Sequence, residues 1–148
     1  MKKLTLVALA LSLGLLVVGC TKKAAVETDN SALTQLKYEF ENNNIHFDFD
    51  RFNIRADQIP ILNAKVSYLQ QDTAANAEVQ GHCDERGTLS YNRALADRRA
   101  KAAYNYLVDQ GISGSRLNTV SYGEERPLDT GHNEAAWATN RRAQFVLR

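Results

Sequence analysis

The stretch from Asn76 to Asp84, NAEVQGHCD, alternates small or apolar side chains (Ala77, Val79, Gly81, Cys83) with polar ones (Glu78, Gln80, His82, Asp84). That is the period-2 pattern of a strand with one buried face. Helical periodicity stands on both sides of it, so this strand has to lie in a sheet that helices cover. Before it, DQIPILNAKVSYLQ repeats Ile59, Leu62, Val66 and Leu69 at helical spacing, with Asp57 placed to cap and Pro60 in the first turn. After it, the pattern predicts a long helix from about Ser90 to Gln110, with Leu95, Ala102, Tyr106 and Leu107 facing inward and Gly111 as its stop.

Three further strands complete the pattern. IHFDFD puts Ile45, Phe47 and Phe49 on one side and His46, Asp48 and Asp50 on the other; RLNTVSYG reads as a third strand, and RAQFVLR as a fourth with Ala143, Phe145 and Leu147 on one face. The long connection EERPLDTGHNEAAWATN has room for a short helix around Glu134 to Ala138. The order β-α-β-α-β-β predicts an α+β fold, a two-layer sandwich of a small mixed β-sheet with helices packed on one face. At 44% hydrophobic and 24% charged residues, the chain suits one ordinary globular domain.

The N-terminus is of another kind. MKKLTLVALALSLGLLVVGC has two lysines, an apolar run from Leu4 to Val18, then Gly-Cys. This reads as a cleaved secretory signal over residues 1–19, because a membrane span needs roughly 20 apolar residues. LVVGC resembles the lipobox of bacterial lipoproteins, which implies lipidation of Cys20; Val17 stands where leucine is commonest, and Thr21 implies sorting to the outer membrane. Residues 21–41, polar and small, read as a flexible tether reaching roughly 70 Å extended and about 25 Å as a coil, which leaves 42–148 as the folded domain. With 18 basic and 17 acidic residues the chain carries +1, and loss of Lys2 and Lys3 leaves about −1. This is no electrostatic footprint for nucleic acid. With Cys20 lipidated, Cys83 has no disulfide partner.

GHCDERGT concentrates chemistry-bearing side chains, yet adjacent strand residues point to opposite faces, so His82, Cys83 and Asp84 do not converge on a metal. Cys83 reads as a buried small hydrophobe, and a metal site completed by His46 or His132 is disfavoured. No nucleophile motif is present. A carboxylate pair for glycan cleavage drawn from Asp48, Asp50, Asp84 and Glu85 lacks chain to build a long cleft. On a helix, Asn92 and Arg99 differ in direction by only about 20°, with Leu95 near the same edge, and all three project toward the strand end that carries Asp84. An aspartate and an arginine held apart read a zwitterion, the amino and carboxyl groups of one amino acid. The same spacing also serves an ordinary Asp84–Arg99 salt bridge, or two solvated charges.

At these residues the chain resembles the OmpA-like peptidoglycan-binding domain. FDFDRF, GHCDERGT, YNRALADRRA, YLVDQGI, VSYGEERP and GHNEAAWATNRRA stand in the family's order and cover Ile45 to Arg148. The resemblance implies binding to the cell wall without catalysis and without a cofactor. The free end of diaminopimelate in the peptide stem would be held by Asp84 and Arg99, with Phe49, Asp50, Thr88, Asn92 and Leu95 lining the pocket; Arg98 would face outward or a carboxylate such as Asp97. It further implies an outer-membrane lipoprotein with its domain in the periplasm, linking membrane to peptidoglycan in cell division and envelope integrity. TolB and other Tol proteins would be partners, meeting a face that includes Glu124, Glu125, Arg126 and Trp137. The rival readings are a wall hydrolase and a protein-interaction adaptor that does not bind wall.

Overall fold

The computed structural model describes residues 22–148; the expected signal over 1–19 and the lipidation site Cys20 lie outside the described residues. The elements in chain order are α1 (Lys22–Asn42), β1 (Ile45–His46), α2 (Ile59–Gln71), β2 (Ala77–His82), α3 (Leu89–Asp109), β3 (Leu117–Gly123), α4 (Glu134–Asn140) and β4 (Arg142–Leu147). The four strands form one mixed sheet in the order β1-β4-β2-β3. β2 runs parallel to β3 and antiparallel to β4, with Val79 opposite Thr119 and Phe145, while β1 pairs antiparallel with β4. The α+β sandwich expected from the patterning is the observed architecture.

Apolar residues of the strands meet the helices in one core, which includes Ile45, Phe47, Leu62, Leu69, Val79, Leu107 and Phe145. On α3, Leu95 and Leu107 face inward as expected, whereas Ala102 and Tyr106 are only half-buried and the stripe runs instead through Ala96, Arg99, Ala100 and Ala103. These small residues let the helix lie directly on β2: a Cβ at Gly81 would run into the Ala96 carbonyl. That closeness carries the side chains of Asn92 and Arg99 over the end of β2. Gly111, at φ +90°, ends the helix, and the Ile112 N–H turns back to the Leu107 carbonyl at 3.1 Å.

Three local expectations are corrected. The strand read through Asp50 has only two residues in the ladder; Phe47 N–H still donates to the Arg141 carbonyl, but Asp50 has φ +55° and Phe49 turns out, 56% exposed. Asp57 does not cap α2, because its carboxylate takes the Arg55 guanidinium at 2.9 and 2.6 Å. The segment expected as a flexible tether is helical from Lys22 to Asn42, and its last turns belong to the core. Phe40 is buried against Tyr68 and Phe145, and Leu33 and Leu36 pack beside it. A fully buried Lys65 Nζ donates to the Phe40 carbonyl at 2.7 Å and lies 4.3 Å from the Phe145 ring centre. Spacing by apolar residues alone could not show this, since the anchor is a lysine.

Candidate functional site

A cavity of about 250 Å³ opens where the β1–α2 loop, the end of β2 and the start of α3 meet. β2 ends at His82 after a register irregularity between Gly81 and His82, so strict alternation stops before the site. Cys83 and Asp84, expected on opposite faces, both line the cavity. The Asp84 side chain turns back on its own loop, accepting from the Arg86 backbone N–H at 3.1 Å. Gly87, at φ +127°, completes the turn. Thr88, expected in the pocket, instead caps α3 by accepting from the Tyr91 N–H at 3.2 Å.

From α3 come Asn92, Leu95 and Arg99, which share a face as the spacing predicts and all line the cavity. Phe49 and Asp50 reach it from the opposite side, with the Asp50 carboxylate accepting from the Tyr91 hydroxyl. Arg98 points outward toward the Phe52 ring, and Asp97 pairs with Lys101.

Arg99 is 1% exposed. Its Nε donates to the Arg51 carbonyl at 2.8 Å, Nη1 to the His82 carbonyl at 2.8 Å and the Cys83 Sγ at 3.3 Å, and Nη2 to the Asp48 carbonyl at 3.1 Å. Burial lowers its pKa, while the Asp84 carboxylate opposes that shift; a guanidinium stays charged throughout. A guanidinium has five N–H donors. Four are committed here, so the group is fixed in place with one Nη2 hydrogen left over.

Asp84 is 4% exposed. Burial alone would raise its pKa, but hydrogen bonds from the Arg86 side chain and backbone and from Arg141 hold its carboxyl below the usual range. Arg86 Nη2 lies 2.8 Å and Arg141 Nη1 3.2 Å from Oδ2. Arg141 is itself held by the Phe47 carbonyl at 3.0 Å and by Glu134 at 2.7 Å. Burial pushes the Cys83 thiol up to about 11, so it is a protonated packing residue beside Leu95 and Ala96.

Arg86, Tyr91 and Arg141 were not singled out from the sequence. Arg86 had a usable signal, a cation two residues past an aspartate in a glycine turn. Arg141 had none, because it meets Asp84 only through the fold, 57 residues away. Of the residues expected on a protein-binding face, Glu124 meets the cavity by accepting from the Asn92 amide and Trp137 by lying against Arg86, its Nε1 donating to Glu85 at 2.9 Å, while Glu125 pairs with Arg93 and Arg126 covers the Tyr122 ring. Among the described residues no three His, Cys, Asp or Glu side chains are grouped to hold a metal ion.

The OmpA family model matches residues 46–142. A peptidoglycan-associated lipoprotein of Haemophilus influenzae is 48% identical over 101 residues, covering 68% of this chain and 66% of that protein, just under two thirds of its length. One of Rhizobium meliloti is 36% identical across 95% of this chain and 86% of its own. Among solved structures, the peptidoglycan-associated lipoprotein of Burkholderia pseudomallei superposes with a TM-score of 0.74 at 34% identity, covering 79% of this chain and 99% of the other. The C-terminal domain of Helicobacter pylori MotB, at 18% identity and a TM-score of 0.67 over 72% of this chain and 84% of that one, shares the fold.

Proposed function

The chain belongs to the OmpA family, and on that premise we propose that it binds peptidoglycan without cleaving it, the cavity receiving the free end of diaminopimelate in the peptide stem. The observation that carries this reading is the pair of buried opposite charges, Asp84 and Arg99, at one cavity within the family-matched segment. Arg99 is pinned by backbone carbonyls, so its position does not depend on a ligand. Its free Nη2 hydrogen and its charge favour a carboxylate. The Asp84 carboxylate, or Asp50 across the cavity, accepts an ammonium. Leu95 and Phe49 supply apolar surface for the methylenes between, and the loss of water around the two charges strengthens both contacts.

The envelope role follows from the same reading. Lipid on Cys20 would hold the chain to the outer membrane, two or more acyl chains being needed for stable anchoring, and the domain would hold the wall from the periplasm. The neighbourhood of Glu124 and Trp137 beside the cavity supports a shared surface, on which TolB and the wall would compete.

The test is calorimetric titration of the detergent-solubilised full-length protein with a diaminopimelate-containing stem peptide, alongside Asp84→Asn and Arg99→Ala. Binding by the native protein and its loss in Asp84→Asn, with the fold intact, is the expected result. Equal binding by all three, or none by the native protein, would remove the cavity from consideration and favour the adaptor reading. Release of soluble fragments from isolated wall sacculi would favour a hydrolase.

A further inference from the structure

The Arg86 guanidinium lies between two aromatic rings, 4.1 Å from the centre of Phe49 and 4.1 Å from that of Trp137. From that sandwich it grips Asp84 with two nitrogens, Nε at 3.2 Å from Oδ1 and Nη2 at 2.8 Å from Oδ2, while Nη1 lies 3.6 Å from Glu134. Asp84, with Arg141 added, therefore accepts four hydrogen bonds before any ligand arrives. A carboxylate has about four acceptor positions, so an incoming ammonium finds none free.

We propose that Arg86 is a displaceable internal counter-ion that makes this cavity selective for zwitterions. The inference rests on the cavity being the wall site. A ligand ammonium takes Asp84 only by exchanging with the Arg86 guanidinium. The released guanidinium, covered by Phe49 and Trp137 and left with Glu134 alone at 3.6 Å in place of its two-nitrogen grip on Asp84, gains a second anion from a ligand that brings its own carboxylate. An ammonium alone leaves Arg86 with only the longer, exposed Glu134 contact, and a carboxylate alone leaves the Asp84–Arg86 pair undisturbed and gains only Arg99. Both halves of an amino acid head group are thus required together, which neither Asp84 nor Arg99 achieves singly.

The exchange has a built-in reporter, because Trp137 is the single tryptophan of the chain and stacks on Arg86. The experiment compares the full-length protein in detergent with Arg86→Met, which keeps an unbranched apolar stem between the rings. Each is titrated by calorimetry and tryptophan fluorescence with a stem peptide ending in diaminopimelate and one ending in lysine. The native protein is expected to prefer diaminopimelate and to change Trp137 emission on binding it. Arg86→Met should bind the lysine stem more tightly than the native protein does, narrowing the preference about tenfold, and should bind either stem with little change in emission. Native binding of diaminopimelate with unchanged emission, or an Arg86→Met variant that keeps the native preference, would overturn the proposal. Native protein that binds neither stem would instead overturn the assignment of the cavity to the wall.

Discussion

Asp84 and Arg99 line one cavity but look to different partners: the carboxylate is held by Arg86 and Arg141, and the guanidinium by the carbonyls of Asp48, Arg51 and His82. Each charge is neutralised or fixed before a ligand enters, which keeps two buried ions apart without collapse into a salt bridge. It also gives Arg99 two duties, since two of the carbonyls it satisfies, those of Asp48 and Arg51, belong to the loop that presents Phe49 and Asp50, and the third, of His82, ends β2.

Arg99→Ala is therefore expected to cost stability as well as binding, about 3 kcal/mol, because three carbonyls lose their donor. Arg99→Lys should recover little, as one ammonium cannot reproduce the fork. Urea unfolding of both variants checks this. A variant as stable as the native protein would show that the loop does not depend on Arg99.

Gly81→Ala should destabilise the fold by roughly 3 kcal/mol, because the added methyl meets the Ala96 carbonyl and α3 has to move off β2. The same displacement would shift Asn92 and Arg99 and widen the cavity. Thermal unfolding measures the first effect and stem-peptide titration the second.

His82 is 1% exposed, stacked on Tyr122, and its pKa is lowered to about 3 by burial and by the charges of Arg142 and Arg126. The unfolded chain takes up this proton near the ordinary histidine value of about 6.5 and the native one does not, so stability should fall as pH drops from about 6.5 toward 3. The slope from this residue is at most about 1.4 kcal/mol per pH unit. His82→Phe should flatten that limb in urea titrations run between pH 4 and 7.

Burial lowers the pKa of Lys65 to about 7. Between that value and the ordinary lysine value of about 10.4 the unfolded state binds the extra proton, so this residue makes stability rise with pH from 7 to about 10. Above 10 Tyr68, raised to about 12 by burial and by Asp72, acts the other way, because the unfolded state then loses its phenolic proton first. Lys65→Met should remove the rise, and melting temperatures at pH 7, 8 and 9 would show it.

Phe40→Ala should cost about 3 kcal/mol or more, the cost of removing a buried aromatic ring. Deletion through Asn42 removes both Phe40 and the carbonyl that Lys65 bonds, and should lower the melting temperature further. If the protein melts unchanged without α1, the helix is a tether throughout.

The sequence by itself determined the layers, the second, third and fourth strands, the helices α2 and α3, and which face of α3 carries Asn92, Leu95 and Arg99. These follow from periods of 2 and 3.6 residues, which local geometry imposes wherever one face is buried. It also marked Asp84 and Arg99, since their side-chain types match a zwitterion and their elements were legible. What only the tertiary structure decided is who neutralises whom. Arg141 comes to Asp84 from the end of α4, Phe49 leaves the strand to stack on Arg86, and Phe40 brings α1 into the core over a buried lysine. Each depends on pairing between segments distant in sequence, or on the backbone leaving a regular period at Asp50 and after Gly81. A periodic pattern carries no information about partners once the period stops, and the site is built where it stops.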